Sequence, residues 1–216
     1  VWAALVVKKA FIGRSIVRGF MLFPYVAPVI AATFVWRLML STQFGIVNEW
    51  IRNAGREQVD FLGSRDFELS VFGWELTLPL ALTTVIVFEA WRYFPFAFLF
   101  ILARLQALPD ELEEAAMVDG ATLSQRFRYI TVPQLSGVLS VLFLLRFIWT
   151  FNKFDDIFLL TGGAAGTKVV TVGIVDWLRA RGDVGSAAAL SIILAFVLIL
   201  LLLIYFKWFY TEEVEE

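Results

Sequence analysis

From Val184 to Phe206 the chain carries no charged residue, and a helix needs about 20 consecutive apolar residues to cross a bilayer. Gly19 to Trp36 is a second uncharged stretch. Leu76 to Ala103 is interrupted only by Glu89 and Arg92, and Ser136 to Leu160 by Arg146, Lys153, Asp155 and Asp156. Hydrophobic residues make up 60% of the chain and the mean hydropathy is +0.78, far above a soluble domain. Four spans are readable, so the expected fold is an all-α, polytopic transmembrane helix bundle forming one domain over residues 1–216.

The opening residues Val1 to Val7 run straight into Lys8-Lys9 and read as the end of a fifth span; a short interfacial segment is the alternative. Lys8, Lys9, Arg14 and Arg18 flank the first short loop with no acidic residue among them, which places that loop in the cytoplasm. Successive crossings then put Ser41–Glu75 outside, residues 109–133 inside with Arg104, Arg126 and Arg128 near the ends of that loop, Thr161–Gly185 outside and the acidic tail Glu212–Glu216 inside.

Between two spans lies a soluble-looking segment, PDELEEAAMVDGATLSQRFRYITVP, residues 109–133. Asp110, Glu111, Glu113 and Glu114 fill the first turns of an expected helix, where carboxylates complement the macrodipole. Ala115, Ala116 and Met117 continue it, and Gly120 stands where it should end with a positive φ. Thr122 and Gln125 have the spacing of a capping box for a second helix, which Pro133 is expected to close. Such a hairpin suits docking better than contact with lipid.

This segment resembles the cytoplasmic loop of the membrane subunits, or permeases, of ATP-binding-cassette importers. Their pattern is Glu-Ala-Ala, three residues, Gly, nine residues, Ile-x-Leu-Pro. Here Glu114-Ala115-Ala116, Gly120 and Ile130-Thr131-Val132-Pro133 fall in register, with Val132 in place of Leu. The resemblance implies a type I importer permease fold with a cytoplasmic coupling hairpin at 109–133. It assigns ATPase coupling to Glu114, Ala115, Ala116, Asp119, Gly120, Ile130 and Pro133. It also implies at least six spans, so that one whole span and most of another would precede Val1. The stretches around Pro24 and Pro28, and Ala187 to Ser191, are similar to the maltose-type subfamily.

Charged side chains within spans are costly unless they meet a partner or a wet cavity. Arg146, Trp149, Thr150 and Lys153 share one helical stripe at i, i+3, i+4 and i+7; Glu89, Arg92, Tyr93 and Phe96 share another. Two polar and aromatic stripes suit a sugar path. A Glu89–Arg92 pair and a snorkelling Lys153 are the alternative. Alignment with the maltose-type permeases implies that Tyr93, Phe96, Arg146, Trp149, Thr150 and Lys153 line the substrate path. Arg146 and Lys153 stand where that family has smaller or amide side chains, which admits an anion such as a glycerol phosphate.

With no cysteine and no histidine, disulfides, thiolate metal sites and the commonest general base are excluded. Gly162 to Lys168 imitates a phosphate loop, but Thr167 separates Gly166 from the lysine and no strand is expected before it. Neither nucleic acid, a cofactor nor a metal is expected. The function implied is a transport subunit rather than an enzyme, forming half of a sugar path in a prokaryotic inner membrane. Its partners would be a second permease, two ATP-binding subunits, an extracytoplasmic solute-binding protein and membrane lipid. An ion-coupled secondary transporter and a membrane enzyme built on Asp155-Asp156 are the other classes; neither accounts for the Glu-Ala-Ala spacing.

Overall fold

The computed structural model describes residues 1–8, 11–71 and 74–212; Lys9 and the acidic tail from Glu213 onward fall outside the described residues. In chain order the elements are α1 (Trp2–Lys8), α2 (Arg14–Val26), α3 (Val29–Met39), α4 (Ile46–Asn53), β1 (Asp66–Val71), β2 (Trp74–Pro79), α5 (Leu80–Ala107) and α6 (Asp110–Val118). They continue with α7 (Leu123–Arg126), a π-helical turn Phe127–Thr131, α8 (Val132–Phe151), α9 (Asp155–Thr161), α10 (Val170–Val175), a second π turn Asp176–Ala180 and α11 (Val184–Glu212). Among the described residues, three helical stretches are long and apolar enough to cross a membrane: Leu80–Ala107, Leu123–Phe151 and Val184–Lys207. A fourth crossing results if α2 and α3 form one broken span.

Four expectations are corrected by the backbone. The stretch Gly19–Trp36 is not one helix but is broken between Val26 and Val29, because Pro28 has no N–H to offer the carbonyl of Pro24. The stretch from Leu76 begins as strand: β1 and β2 pair antiparallel from Asp66↔Pro79 to Val71↔Trp74, and α5 starts only at Leu80. Pro133 does not close a helix. It is the second residue of α8, and the wide turn before it, in which Val132 N–H reaches back to Phe127 C=O, makes room for a ring that would strike the carbonyl four residues earlier. The stretch Ser136–Leu160 also breaks, at Asn152–Phe154, where Asn152 Nδ2 donates to Ile148 C=O (3.0 Å).

The chain packs into two compact units, one made of Val1–Pro28 and Phe88–Phe147, the other of Val29–Val87 and the chain from Ile148. The core of the first joins Ala4 and Val7 of α1, Phe98, Ile101, Leu102 and Leu105 of α5, and Leu135 and Leu142 of α8. The α5 residues recur at three and four positions, one face of a helix. In a membrane such packing gains from close contact rather than from leaving water, since lipid tails are as apolar as leucine. Arg104 adds a polar tie from α5 to α8, donating to Gln134 C=O (3.1 Å) and Gln134 Oε1 (3.0 Å).

In the second unit α3 packs against α9, with Arg37 Nη1 donating to Leu159 C=O (3.3 Å). Asn48, only 1% exposed, organises the connection that follows α3. Its Nδ2 donates to the carbonyls of Leu40 (3.3 Å), Ser41 (3.2 Å) and Val59 (2.9 Å), and its Oδ1 accepts from Val59 N–H (2.8 Å).

Candidate functional site: the 109–133 hairpin and the polar path

The hairpin lies in the first unit, and its local chemistry explains the spacing of its sequence. Helix α6 ends with Gly120 at φ +79, as expected. Ala121 N–H bonds to Ala116 C=O (2.9 Å) and Gly120 N–H to Met117 C=O (3.1 Å), the paired bonds of a Schellman cap. The alanine of the triplet and the glycine four residues later are thus the two ends of one cap. Thr122 and Gln125 then form the capping box: Gln125 N–H donates to Thr122 Oγ1 (3.3 Å) and Thr122 N–H to Gln125 Oε1 (2.8 Å).

Glu114, Ala115, Asp119 and Gly120 are exposed and Ala116 is half-buried. Ile130 is placed differently. It faces inward, lining a small cavity of about 30 Å³ with Leu105, Leu108, Pro109 and Leu112, so it spaces the two arms of the hairpin. Pro133 is exposed at the start of α8. The turn region also presents Met117, Val118 (89% exposed) and Leu123 (77% exposed). The capping and triplet patterns do not mark these three, although large apolar side chains in so polar a segment are a signal the sequence carries. Helix α1 braces the hairpin: Lys8 Nζ is 3.6 Å from Glu113 Oε2, and Trp2 stacks on Phe127 with ring centres 5.7 Å apart.

The expected path residues divide between the units. In the first, Arg146 Nη2 meets Glu89 Oε2 at 3.3 Å, and its guanidinium lies over the Tyr93 ring, 4.3 Å from the centre. Tyr25 packs on both Tyr93 (6.1 Å) and Phe96 (6.0 Å). Arg92 serves the helix break, donating to Ala27 C=O (3.0 Å) and lying 3.5 Å from Pro24 C=O, the acceptor that Pro28 cannot satisfy. In the second unit Trp149 and Thr150 are exposed on the last turn of α8. Lys153 does not continue their helical stripe, because α8 ends at Phe151. Its ammonium pairs with Asp156, which is 1% exposed, and its carbonyl accepts from Thr171 Oγ1. The glycine-rich segment after α9 is a tight turn with Gly162, Gly163 and Gly166 at positive φ, closed by a Thr161–Thr167 hydroxyl contact of 2.6 Å.

Residues 1–211 match the family model described as "Binding-protein-dependent transport system inner membrane component". This chain belongs to that family. It is 35% identical over 198 residues to the trehalose/maltose transport system permease protein MalF of Thermococcus litoralis, covering 91% of this chain and 62% of that protein. It is 35% identical over 203 residues to the inner membrane ABC transporter permease protein YcjO of Escherichia coli, covering 93% of this chain and 64% of the relative. The chain therefore spans under two thirds of the length of these two relatives. In fold it is similar to a solved bacterial ABC transporter involved in the import of the acidic polysaccharide alginate, with a TM-score of 0.83 at 22% identity over 96% of this chain and 70% of that one. The permease-type helical fold is the one the 109–133 pattern implied.

Proposed function

We propose that the protein is one of two membrane subunits of an ATP-driven sugar importer in the prokaryotic inner membrane, coupled through the 109–133 hairpin to a partner ATPase. The observation that carries this reading is the hairpin itself. It is a doubly capped polar turn with an exposed apolar tip, held between two membrane-spanning helices of a chain that belongs to a binding-protein-dependent transport family. Buried in a cleft of a soluble subunit, Val118, Met117 and Leu123 would supply packing while Glu114 and Asp119 at its rim pair with cations. Closure of two ATPases would draw two such hairpins together and rock the spans, and a solute-binding protein would deliver substrate to the loops on the other face. A second, different permease would supply the other half of the path.

For the cargo, a neutral oligosaccharide is favoured over an anion. The two cations that set Arg146 and Lys153 apart from maltose-type permeases are each held by a carboxylate of the chain itself, Glu89 and Asp156. Tyr93, Phe96 and Trp149 offer the aromatic faces on which sugar C–H surfaces stack.

The test uses the full-length complex reconstituted in nanodiscs with its binding protein and a maltose-type oligosaccharide. Glu114→Ala and Gly120→Val should lower ATPase co-purification and abolish most of the substrate stimulation of ATP hydrolysis, with helicity unchanged. Full retention of both properties in both variants would overturn the coupling role.

A further inference from the structure

Helix α4 is fixed to the end of α3 by two independent contacts. Asn48 donates to the carbonyls of Leu40 and Ser41, the first residues after α3. Gly45, which precedes α4, approaches that backbone so closely that a Cβ would stand 2.4 Å from both Met39 C=O and Ser41 C=O. With α2 and α3 taken as one broken span, α4 is held at the depth where that span leaves the hydrocarbon.

Successive residues of a helix are turned by about 100°, which divides α4 into three faces. Val47, Asn48 and Ile51 turn to the chain and are buried or half-buried. Glu49 and Arg52, an exposed ion pair, form a polar face about a third of a turn away. Between them Ile46 (48% exposed) and Trp50 (65%), with Phe44 (78%) just before the helix, form an apolar edge. Helix α3, to whose end α4 is tied, likewise exposes Phe34, Val35 and Leu38. A helix with one face on protein, one in water and one apolar edge carrying a tryptophan, at the end of a span, meets the requirements for residence at the membrane–water boundary.

We propose that α4 is an interfacial helix whose Phe44–Ile46–Trp50 edge seats in the headgroup–acyl boundary of the bilayer, leaving Glu49 and Arg52 to the aqueous side. The lipid contact fixes the height of the following connection, and through Asn48 and Val59 it holds the segment that leads to the β1–β2 hairpin. A binding protein arriving from the aqueous side would then meet a surface whose level is set by the membrane. The proposal rests on the membrane placement of α3 and is independent of the hairpin's coupling role.

The chain has no cysteine, so single nitroxide labels can be placed at Ile46→Cys, Trp50→Cys and Glu49→Cys, with cysteines in the companion subunits replaced. The assembled full-length complex in phosphatidylethanolamine–phosphatidylglycerol nanodiscs is probed with oxygen, which concentrates in lipid, and a nickel chelate, which stays in water. Oxygen should dominate at positions 46 and 50 and the chelate at position 49. Dominance of the chelate at position 50 would overturn the proposal by placing the edge in water. Exclusion of both reagents there would overturn it by showing a protein partner, the second permease or the binding protein. As a check free of labels, unmodified and Trp50→Phe complexes are compared in dibrominated lipid. The variant should lose quenchable tryptophan emission, and equal quenching would also count against the lipid contact. Substrate-stimulated ATP hydrolysis in the same samples reports the transport function separately, so a failure of one reading is distinguishable from a failure of the other.

Discussion

Arg146 reaches Glu89 at 3.3 Å from α8 to α5 while resting its guanidinium on the Tyr93 ring. The pair makes two intramembrane charges tolerable, because each supplies what lipid cannot. Glu89→Leu leaves the arginine's charge behind and should destabilise the first unit by about 3 kcal/mol. The double variant Glu89→Leu with Arg146→Met should recover most of that loss. Thermal unfolding of the purified complex, arranged as a double-mutant cycle, measures the coupling; strict additivity would mean that the contact contributes nothing.

The neighbouring cation behaves differently, which shows how far the sequence can be read. Spacing alone placed Lys153 on one stripe with Arg146, Trp149 and Thr150, and that inference needs an unbroken helix. Asn152 breaks it by bonding back to Ile148 C=O, a competition between side chain and backbone that periodicity does not register. Lys153 instead compensates Asp156, buried at the start of α9. Lys153→Ala should therefore impair assembly as well as transport, since it takes the cation away from a buried carboxylate at a cost of roughly 3 kcal/mol. Trp149→Ala, which removes an exposed side chain, should lower transport while complex yield and basal ATP hydrolysis stay unchanged. Equal yields for the two variants in detergent extracts would refute this division.

The hairpin was far more legible, because its signals are local. Caps are written in residue type within four positions, so Gly120, Thr122 and Gln125 could be placed from sequence. The wide turn before Pro133 could not, since nothing local separates a proline that ends a helix from one that a π turn admits. At Gly120 a Cβ would meet nothing within 4 Å, so the only penalty on substitution is the positive φ. Gly120→Ala should cost about 1–2 kcal/mol locally, and Gly120→Val more, while Gly120→Asn should be nearly tolerated. Hydrogen exchange at Gly120 and Ala121, whose N–H groups close the cap, should rise in the order Asn, Ala, Val. A rank order set by side-chain volume alone would contradict the backbone explanation.

The start of α11 titrates. Asp183 Oδ1 accepts from Ser186 N–H (2.9 Å) and Oδ2 from Ser186 Oγ (2.7 Å), and these bonds, with the charge of Arg181, hold its carboxyl below the ordinary value of 3.8. A folded pKa below the unfolded one means that the cap contributes above the unfolded value and is lost as pH falls through the folded one. Protection of the Ser186 amide should thus be constant from neutral pH down to about pH 4 and decline below it. Asp183→Asn should abolish that decline while keeping much of the cap. A pH response that persists in the asparagine variant would assign it to another group.

Asn48 carries the strongest single-residue prediction, because in a buried position its two amide hydrogens are shared among three carbonyls and its oxygen accepts one N–H; of those carbonyls, Ser41 C=O also accepts from Gly45 N–H (3.0 Å). Asn48→Leu preserves volume and removes every one of those bonds. At about 1–3 kcal/mol for each buried group left unsatisfied, the lost bonds to Leu40 C=O and to Val59 C=O and N–H should together cost several kcal/mol unless water enters. Asn48→Asp keeps the acceptor for Val59 N–H but places a carboxylate oxygen against the carbonyls of Leu40, Ser41 and Val59, so it should be no better than leucine. Asn48→Gln offers the same groups on a longer arm, at a site where Gly45 shows that the backbones already approach as closely as sterics permit; partial recovery at most is expected. The readout is exchange of the Val59 amide together with limited proteolysis of the connection at residues 54–60. Loss of protection should appear there while α5 and α11 stay protected, because Asn48 ties a connection to a helix end and does not enter the core of the first unit. If the Val59 amide in the leucine variant exchanged as slowly as in the parent, the Asn48 bonds would not be what holds α4 at the end of α3.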